Sequence, residues 1–295
     1  MDFATFSQFA LSGLTTGCIY ALVALGFVLC MNVSGVINFA QGEYVMIGGV
    51  GAALLAAYGL PLPVAIAGAV AAGALLAVAQ ELLTLAPVRT APLFIQVTIT
   101  LGVAAILRMG AVVVGGRDPL TVPPLTGDGV EEILQAVVPT QTLWVWGMTA
   151  LLLAASFWLL MRTDLGRAIR ACSINLHAAR LMGIEAERLT LVVFALSGGT
   201  AALAGAVVAP ITQANWLAGL EFGLKGFIGA IFGNFRSPGL AVAGGLAIGV
   251  VESLAAGYVS SAYKDVVAYG ALLIYLLLRG GVFVTGRAAL AQSSH

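Results

Sequence analysis

The feature that most constrains this chain is a succession of long apolar runs with almost no charge inside them. Residues 9–31, 62–85, 93–114, 143–161, 189–209 and 240–259 are each close to the ~20 residues a helix needs to cross ~30 Å of hydrocarbon. Residues 44–57 form a shorter run; 217–235 carries Glu221 and Lys225, and 266–284 carries Arg279. Eight to nine transmembrane helices are therefore predicted. Only 9% of residues are charged against 60% hydrophobic, whereas soluble domains carry about 25% charge. Too few polar groups remain to cover a water-facing surface. The fold class is all-α, a polytopic membrane helix bundle forming a single transmembrane domain over residues 1–295, with no room for a large catalytic domain outside the membrane. The start, MDFATFSQF, lacks Lys and Arg, so the first run reads as a retained helix rather than a cleaved leader.

The separators are turn formers, among them Gly59, Pro61 and Pro63, then Pro87 and Pro92, then Ser237, Pro238 and Gly239. Two are long, and their charges differ. Residues 115–142 hold Arg117 against Asp118, Asp128, Glu131 and Glu132, while 162–188 hold five of the 13 basic residues. Cytoplasmic loops collect Lys and Arg. The loop at 162–188 is accordingly placed inside and that at 115–142 outside. Arg279 and Arg287 place the C-terminus inside as well, and nine spans satisfy every loop.

Glycine supplies 37 residues, well above the usual share of roughly 7%. Many recur one helical turn apart within apolar runs, as in Gly13 with Gly17, Gly229 with Gly233, and Gly245 with Gly249. Small residues at that spacing let helix backbones approach closely in lipid. Internal packing is the expected use, ahead of a dimer seam. An inverted repeat is hinted at by Gly48, Gly49 and Gly51 in the first half against Gly244, Gly245 and Gly249 in the second, each group following a polar turn.

Absences narrow the function. The only lysines are Lys225 and Lys264, neither following a glycine, so no phosphate-binding P-loop exists in this chain. His177 and His295 are the only histidines, which leaves no metal cluster and no catalytic triad to assemble. No catalytic residue, metal or cofactor is expected. Formal net charge is zero, and without a basic stripe nucleic acid is not a partner. Cys18, Cys30 and Cys172 suggest no disulfide framework.

The basic loop reads RTDLGRAIRACSINLHAARLMGIEAERL. Thr163 or Asp164 can cap a helix, Leu165, Ile169, Cys172, Leu176 and Ala179 recur at steps of three and four, and Gly183 can close it. One short amphipathic helix is predicted. Arg167, Arg170 and Arg180 lie off its apolar stripe, so it suits either the membrane surface or a groove in a cytoplasmic partner.

Three stretches carry a resemblance. LGRAIRACSINLHAARLMGI is similar to the loop by which permease subunits of ABC importers contact their ATPases, in the form used by branched-chain amino acid importers. GLTTGCIYALVALGFVLCMNVSGVINFAQGEYVMIGG resembles that family's first two helices and their connecting motif, and GLKGFIGAIFGNFRSPGLAVAGGLAIGVVESL its Gly-rich C-terminal half. The matches occur in the family's order and cover nearly the whole chain. The resemblance implies an inner-membrane permease subunit that forms the pathway for branched-chain amino acids. Its implied partners are two cytoplasmic ATPases that bind the ATP, a second permease, identical or related, and a periplasmic binding protein. It directs ATPase coupling to Arg167, Arg170, Asn175, Arg180 and Gly183. Two departures stand out: Gln41 replaces the family's usual His, and Asn234, Phe235 and Arg236 replace usual glycines. Both leave the fold expectation untouched and bear on ligand preference.

Intramembrane polar groups are functional candidates because burying them is costly. Glu221 and Lys225, at i and i+4, can neutralise each other. Glu81 and Arg108 lie near span ends and are expected to reach the interface. Glu252 and the group Asn38, Gln41 and Glu43 are the candidates for lining the pathway or its gate. Two alternatives stay open: a related permease for urea or short-chain amides, and a self-sufficient secondary transporter relaying a proton through Glu252 or Glu221.

Overall fold

The computed structural model describes residues 3–127 and 129–292, with side chains as far as Leu278. Asp128, His295 and the side chains of Arg279 and Arg287 lie outside the described residues, and with them the part of the charge asymmetry they carried. Eleven α-helices are present among the described residues. The first group is α1 (Phe3–Ser34), α2 (Gln41–Ala57), α3 (Leu62–Gln80) and α4 (Leu93–Gly115). α3 is prolonged by a π-helical turn and a 3-10 turn to Val88. A two-stranded antiparallel hairpin, β1 (Val130–Ile133) and β2 (Ala136–Pro139), leads into α5 (Thr140–Arg162). The loop helices α6 (Asp164–Ile174) and α7 (Leu176–Leu181) precede α8 (Ala186–Thr212), α9 (Ala218–Phe232), α10 (Pro238–Tyr258) and α11 (Lys264–Gln292). The chain is a polytopic helical bundle with almost no sheet.

Seven helices among the described residues are long and apolar enough to cross a membrane. The predicted eight or nine differ from this by α2 and α9. With 17 and 15 residues these rise only about 25 and 22 Å, and their first turns lie inside the bundle: Gln41, Gly42 and Glu43 are buried, as are Ala218 and Gly219. Local sequence sets the helix ends. Prolines precede α3, α4 and α5, each in extended backbone that starts a helix cleanly. Gly35, Gly59, Gly116 and Gly183 follow helices with positive φ, the left-handed stop that glycine adopts without strain.

Burial separates a centre from a rim. α1 and α8 are mostly buried, whereas α4, α5 and α11 turn large apolar residues such as Phe94, Val113 and Trp158 outward. In lipid such a face is solvated, so the driving force between helices is packing. The glycine spacing serves that packing inside the monomer. Along α1 and α10 a Cβ on Gly13 would lie 2.7 Å from Gly249 O, one on Gly17 2.9 Å from Leu246 O, and one on Gly245 2.6 Å from Ala21 N. Each added methyl would strike backbone.

The neighbours repeat in exchanged roles. α1 lies antiparallel to α10, with Gly13 beside Val250 and Gly245 beside Ala21; α8 lies antiparallel to α3, with Gly198 beside Ala77 and Ala202 beside Gly73. α9 runs parallel to α1, placing Phe222 by Tyr20 and Phe227 by Phe27; α2 runs along α8, placing Gln41 by Ser197 and Gly49 near Ala209. Exchanging α1, α2, α3 with α8, α9, α10 preserves this pattern, as an inverted two-fold relation requires. The bundle has a hairpin face, where Ser7 bonds Leu134 O and Gln8 bonds Val137, and an opposite face bearing α6 and α7. α11 runs toward the latter, since Asp265 pairs with Lys225 and Tyr275 stacks farther along α9 on Phe232.

Asn234 and Phe235 hold φ of +52° and +54°. These are the positions where usual glycines are replaced, so the departure does reach the backbone: two non-glycine residues occupy left-handed conformations at the turn between α9 and α10.

Candidate functional site

Residues 162–188 fold as two helices rather than the one predicted. Thr163 caps α6 by accepting from Gly166 N at 3.2 Å, and Asn175 breaks the run and caps α7 by accepting from Ala178 N at 3.0 Å. A side chain that offers the backbone an acceptor favours a new helix start over continuation. Ile169, Cys172 and Ala179 are buried against the bundle, as the stripe predicts, but Leu165 is exposed. Burial pushes the Cys172 thiol up, and the nearby Arg180 charge opposes this. The other edge projects Ile174, Leu181 and Met182, which are 87%, 77% and 84% exposed.

The five predicted loop residues are all exposed yet differ in their bonds. Arg170 Nη1 donates to Leu160 O, tying α6 to the C-terminal turn of α5, and Arg167 pairs with Asp164 one turn away. Gly183 takes φ +86° after α7. Arg180 and Leu176 reach a cavity of about 490 Å³ between α7 and the ends of α1 and α8. Arg89 spans the same cavity, pairing with buried Glu81 at 2.6 Å and Glu187 at 3.4 Å. Glu81 is thus 1% exposed and paired, not at the interface as predicted, because the π-helical turn aims it inward at Arg89.

At the start of α2 the predicted Asn38, Gln41 and Glu43 come together, all buried. Asn38 Oδ1 accepts from Gln80 Nε2 at 2.7 Å and from Ala40 N at 3.1 Å, turning the chain into α2. Tyr44 donates to Gln80 Oε1. Gln41 exchanges bonds with α8, accepting from Ser197 Oγ at 2.8 Å and donating to Ser197 O at 3.3 Å. Glu43 pairs with Arg108 of α4. Arg108 was expected at the interface; instead α4 carries it inward, because a buried carboxylate offers it a better partner than a distant headgroup. Gly219 and Gly223 give this group space, since side chains there would meet Glu43 and Gly42.

Glu252 does not join this group. It sits on α10 at 7% exposure, accepting from Tyr20 OH at 2.9 Å and from Lys225 Nζ at 2.5 Å. Lys225 also pairs with Glu221 and Asp265, both at 3.0 Å, and Lys264 reaches Glu221 at 3.2 Å. The predicted Glu221–Lys225 pair exists inside this larger cluster. Carboxylate oxygens of Glu221, Glu252 and Asp265 lie within 4.8 Å of one another, a spacing that could hold a metal, but the Lys225 ammonium already bonds all three. The cluster borders a cavity of about 310 Å³ near the hairpin face, lined also by Thr16, Gln213 and Asn215.

Sequence reasoning did not place Arg108, Gln80, Ser197, Tyr20 or Asp265 in either group. For Arg108 a signal exists: a lone arginine within an apolar span needs an acid at its own depth. The other four are polar residues of ordinary helices, which contacts distant in sequence bring together.

Seven helices long and apolar enough to cross a membrane, with buried charge pairs held among the packed helices, define a polytopic membrane protein. The chain matches the family model described as the permease component of branched-chain amino acid transport systems over residues 9–277. It is 31% identical over 291 residues to the LivH high-affinity branched-chain amino acid permease protein of Salmonella typhimurium, covering 94% of each chain. It is 30% identical to the BraD counterpart of Pseudomonas aeruginosa, covering 92% of this chain and 93% of the relative. A probable LivH of Methanocaldococcus jannaschii is 28% identical, with 87% and 84% covered. No solved structure matches the chain. The chain belongs to the branched-chain amino acid transport permease family: it is a multi-pass inner-membrane ABC permease.

Proposed function

We propose that this chain forms the translocation pathway of an ABC importer for branched-chain, hydrophobic amino acids, as a single permease domain without catalytic residues. In this reading the α6–α7 face and the C-terminus are cytoplasmic and the hairpin face is outside. A second permease completes the pathway, two cytoplasmic ATPases bind the ATP, and a periplasmic binding protein delivers solute to the hairpin face. The observation that carries it is α6–α7 itself. An exposed pair of short helices that leaves Ile174, Leu181 and Met182 uncovered matches what a partner's groove would bury, in the segment that resembles an ATPase-contacting loop. Relatives over nearly the full chain bear the branched-chain name, which supports the cargo.

Coupling then works as a population shift. Nucleotide binding in the ATPases favours one arrangement of the bundle, and α6–α7 transmits that preference as a rigid lever. Arg170 makes the lever rigid by fastening α6 to α5. Asn175 and Gly183 set its shape, and Arg167 and Arg180 offer charge to the partner.

The test is the permease purified with its ATPases, second permease and binding protein in proteoliposomes. Ile174→Asp and Met182→Asp are expected to detach the ATPases, and Arg170→Ala to uncouple ATP hydrolysis from uptake. Wild-type uptake driven by an ion gradient, without ATPases, would overturn the reading.

A further inference from the structure

Glu43 and Arg108 leave atoms unused. Glu43 Oε2 and Arg108 Nε are buried and have no hydrogen-bond partner among the described residues. A buried charged group with an unpaired atom forgoes more than a neutral one, and such orphans call for an explanation. Both residues line a cavity of about 170 Å³ between α4, α2 and α9, walled by Phe27, Phe39, Phe227, Leu101 and Leu224. Phe227 stacks on Phe27 and Phe39 at 5.6 and 5.2 Å, so the wall is a fixed aromatic surface. Gly219 and Leu220, in the first turn of α9, complete it.

We propose that this cavity is a transient binding site for the free amino acid as a zwitterion, Glu43 taking the ammonium and Arg108 taking the carboxylate, while the aromatic and leucine wall takes the hydrocarbon side chain. The proposal rests on the importer reading and names where the pathway recognises its solute. A zwitterion satisfies a carboxylate and a guanidinium together without adding net charge to the bilayer interior. A neutral amide can hydrogen-bond both groups but pairs neither with an opposite charge, and a fatty acid or an amine satisfies one and repels the other. A water occupies roughly 30 Å³ in the liquid, so the space holds about five or six waters' worth, enough for a small amphipathic solute and too little for a peptide. The cluster around Lys225 is a poorer site because its ammonium is already bonded to three carboxylates.

The experiment uses the assembled permease–ATPase complex in detergent, without binding protein, with radiolabelled L-leucine as probe. Saturable binding is expected, displaced by L-valine but not by 4-methylpentanoate or leucinamide, each of which lacks one charge. Glu43→Gln and Arg108→Gln are expected to weaken it about tenfold or more, as loss of a charged hydrogen bond does. Leu224→Trp, which narrows the wall without touching the pair, is expected to weaken it as much. ATP hydrolysis stimulated by loaded binding protein is measured in parallel. Stimulated hydrolysis without leucine binding, or binding unchanged in all three variants, overturns the site and leaves the importer reading standing. Leucine binding lost in the variants, with no coupled hydrolysis in the wild type, overturns the importer reading and leaves the site standing.

Discussion

α2 and α9 occupy exchanged positions in the two halves of the bundle, and each begins with an acid in its first turn, Glu43 and Glu221. They solve the same electrostatic problem differently. Glu43 meets a single arginine from α4 beside a small aromatic-walled cavity, and both partners keep an unused atom. Glu221 is 47% exposed and belongs to a cluster of three carboxylates and two lysines beside a wide cavity. Lys225, at 0% exposure, is the hub where α9, α10 and α11 meet. The difference teaches that a duplicated scaffold fixes where charge can be buried, while the local partners decide between a structural knot and a place left open for solute.

The largest effect should come from removing the hub. Lys225→Leu leaves Asp265 and the buried Glu252 without a cation, while Glu221 keeps Lys264, and is expected to cost roughly 3–5 kcal/mol, read as a collapse of thermal stability in detergent. Adding Glu252→Leu should recover part of that loss, because the pair then leaves together. If Lys225→Leu proved as stable as wild type, the cluster would not be a knot and the contrast would fail.

Next comes the crossing of α2 and α9. Gly42→Ala places a methyl onto the backbone of Gly219 and Gly223 and is expected to cost about 1–3 kcal/mol. Gly102→Ala on α4, with nothing within 4 Å of the added methyl, serves as the control and should cost nothing. Arg108→Gln should be milder than Lys225→Leu, about 1–3 kcal/mol, since a single buried carboxyl can take up a proton. Equal destabilisation by the two would erase the distinction between knot and open pair.

The smaller effects lie in the loop, away from both regions, and calibrate them. Asn175→Ala removes the α7 cap and is expected to cost about 1 kcal/mol, seen as faster amide exchange confined to residues 176–181. Cys172 should react slowly with maleimide at neutral pH, since burial raises its thiol above the ordinary value and the thiolate is the reactive form. Rapid labelling would mean that α6 does not rest on the bundle.

Much of the architecture was legible in the residues. Apolar runs of near-constant length located the spanning helices because lipid leaves the backbone few options, and Thr163, Gly183 and the prolines marked ends through bonds or angles local to them. Of the stripe Leu165, Ile169, Cys172, Leu176 and Ala179, the members Ile169, Cys172 and Ala179 were read correctly for the same reason, whereas Leu165 is exposed. Asn175 was legible in principle as a cap, yet the stripe continues across it and suggested one helix. Glu81 and Arg108 were misjudged because depth along a span does not reveal which way a side chain faces.

The sequence by itself determined that the chain dissolves in lipid, which segments form its long apolar helices, and that close helix contacts would form at glycines. These follow from hydrophobicity, backbone angles and side-chain size, all properties of neighbouring residues. Only the tertiary structure decided that α2 and α9 start inside the bundle, that Glu43 finds Arg108 across 65 residues, and that Glu252 finds Tyr20 across 232. Pairing between buried charges depends on distance and shared exclusion from water, and neither exists until the helices have packed.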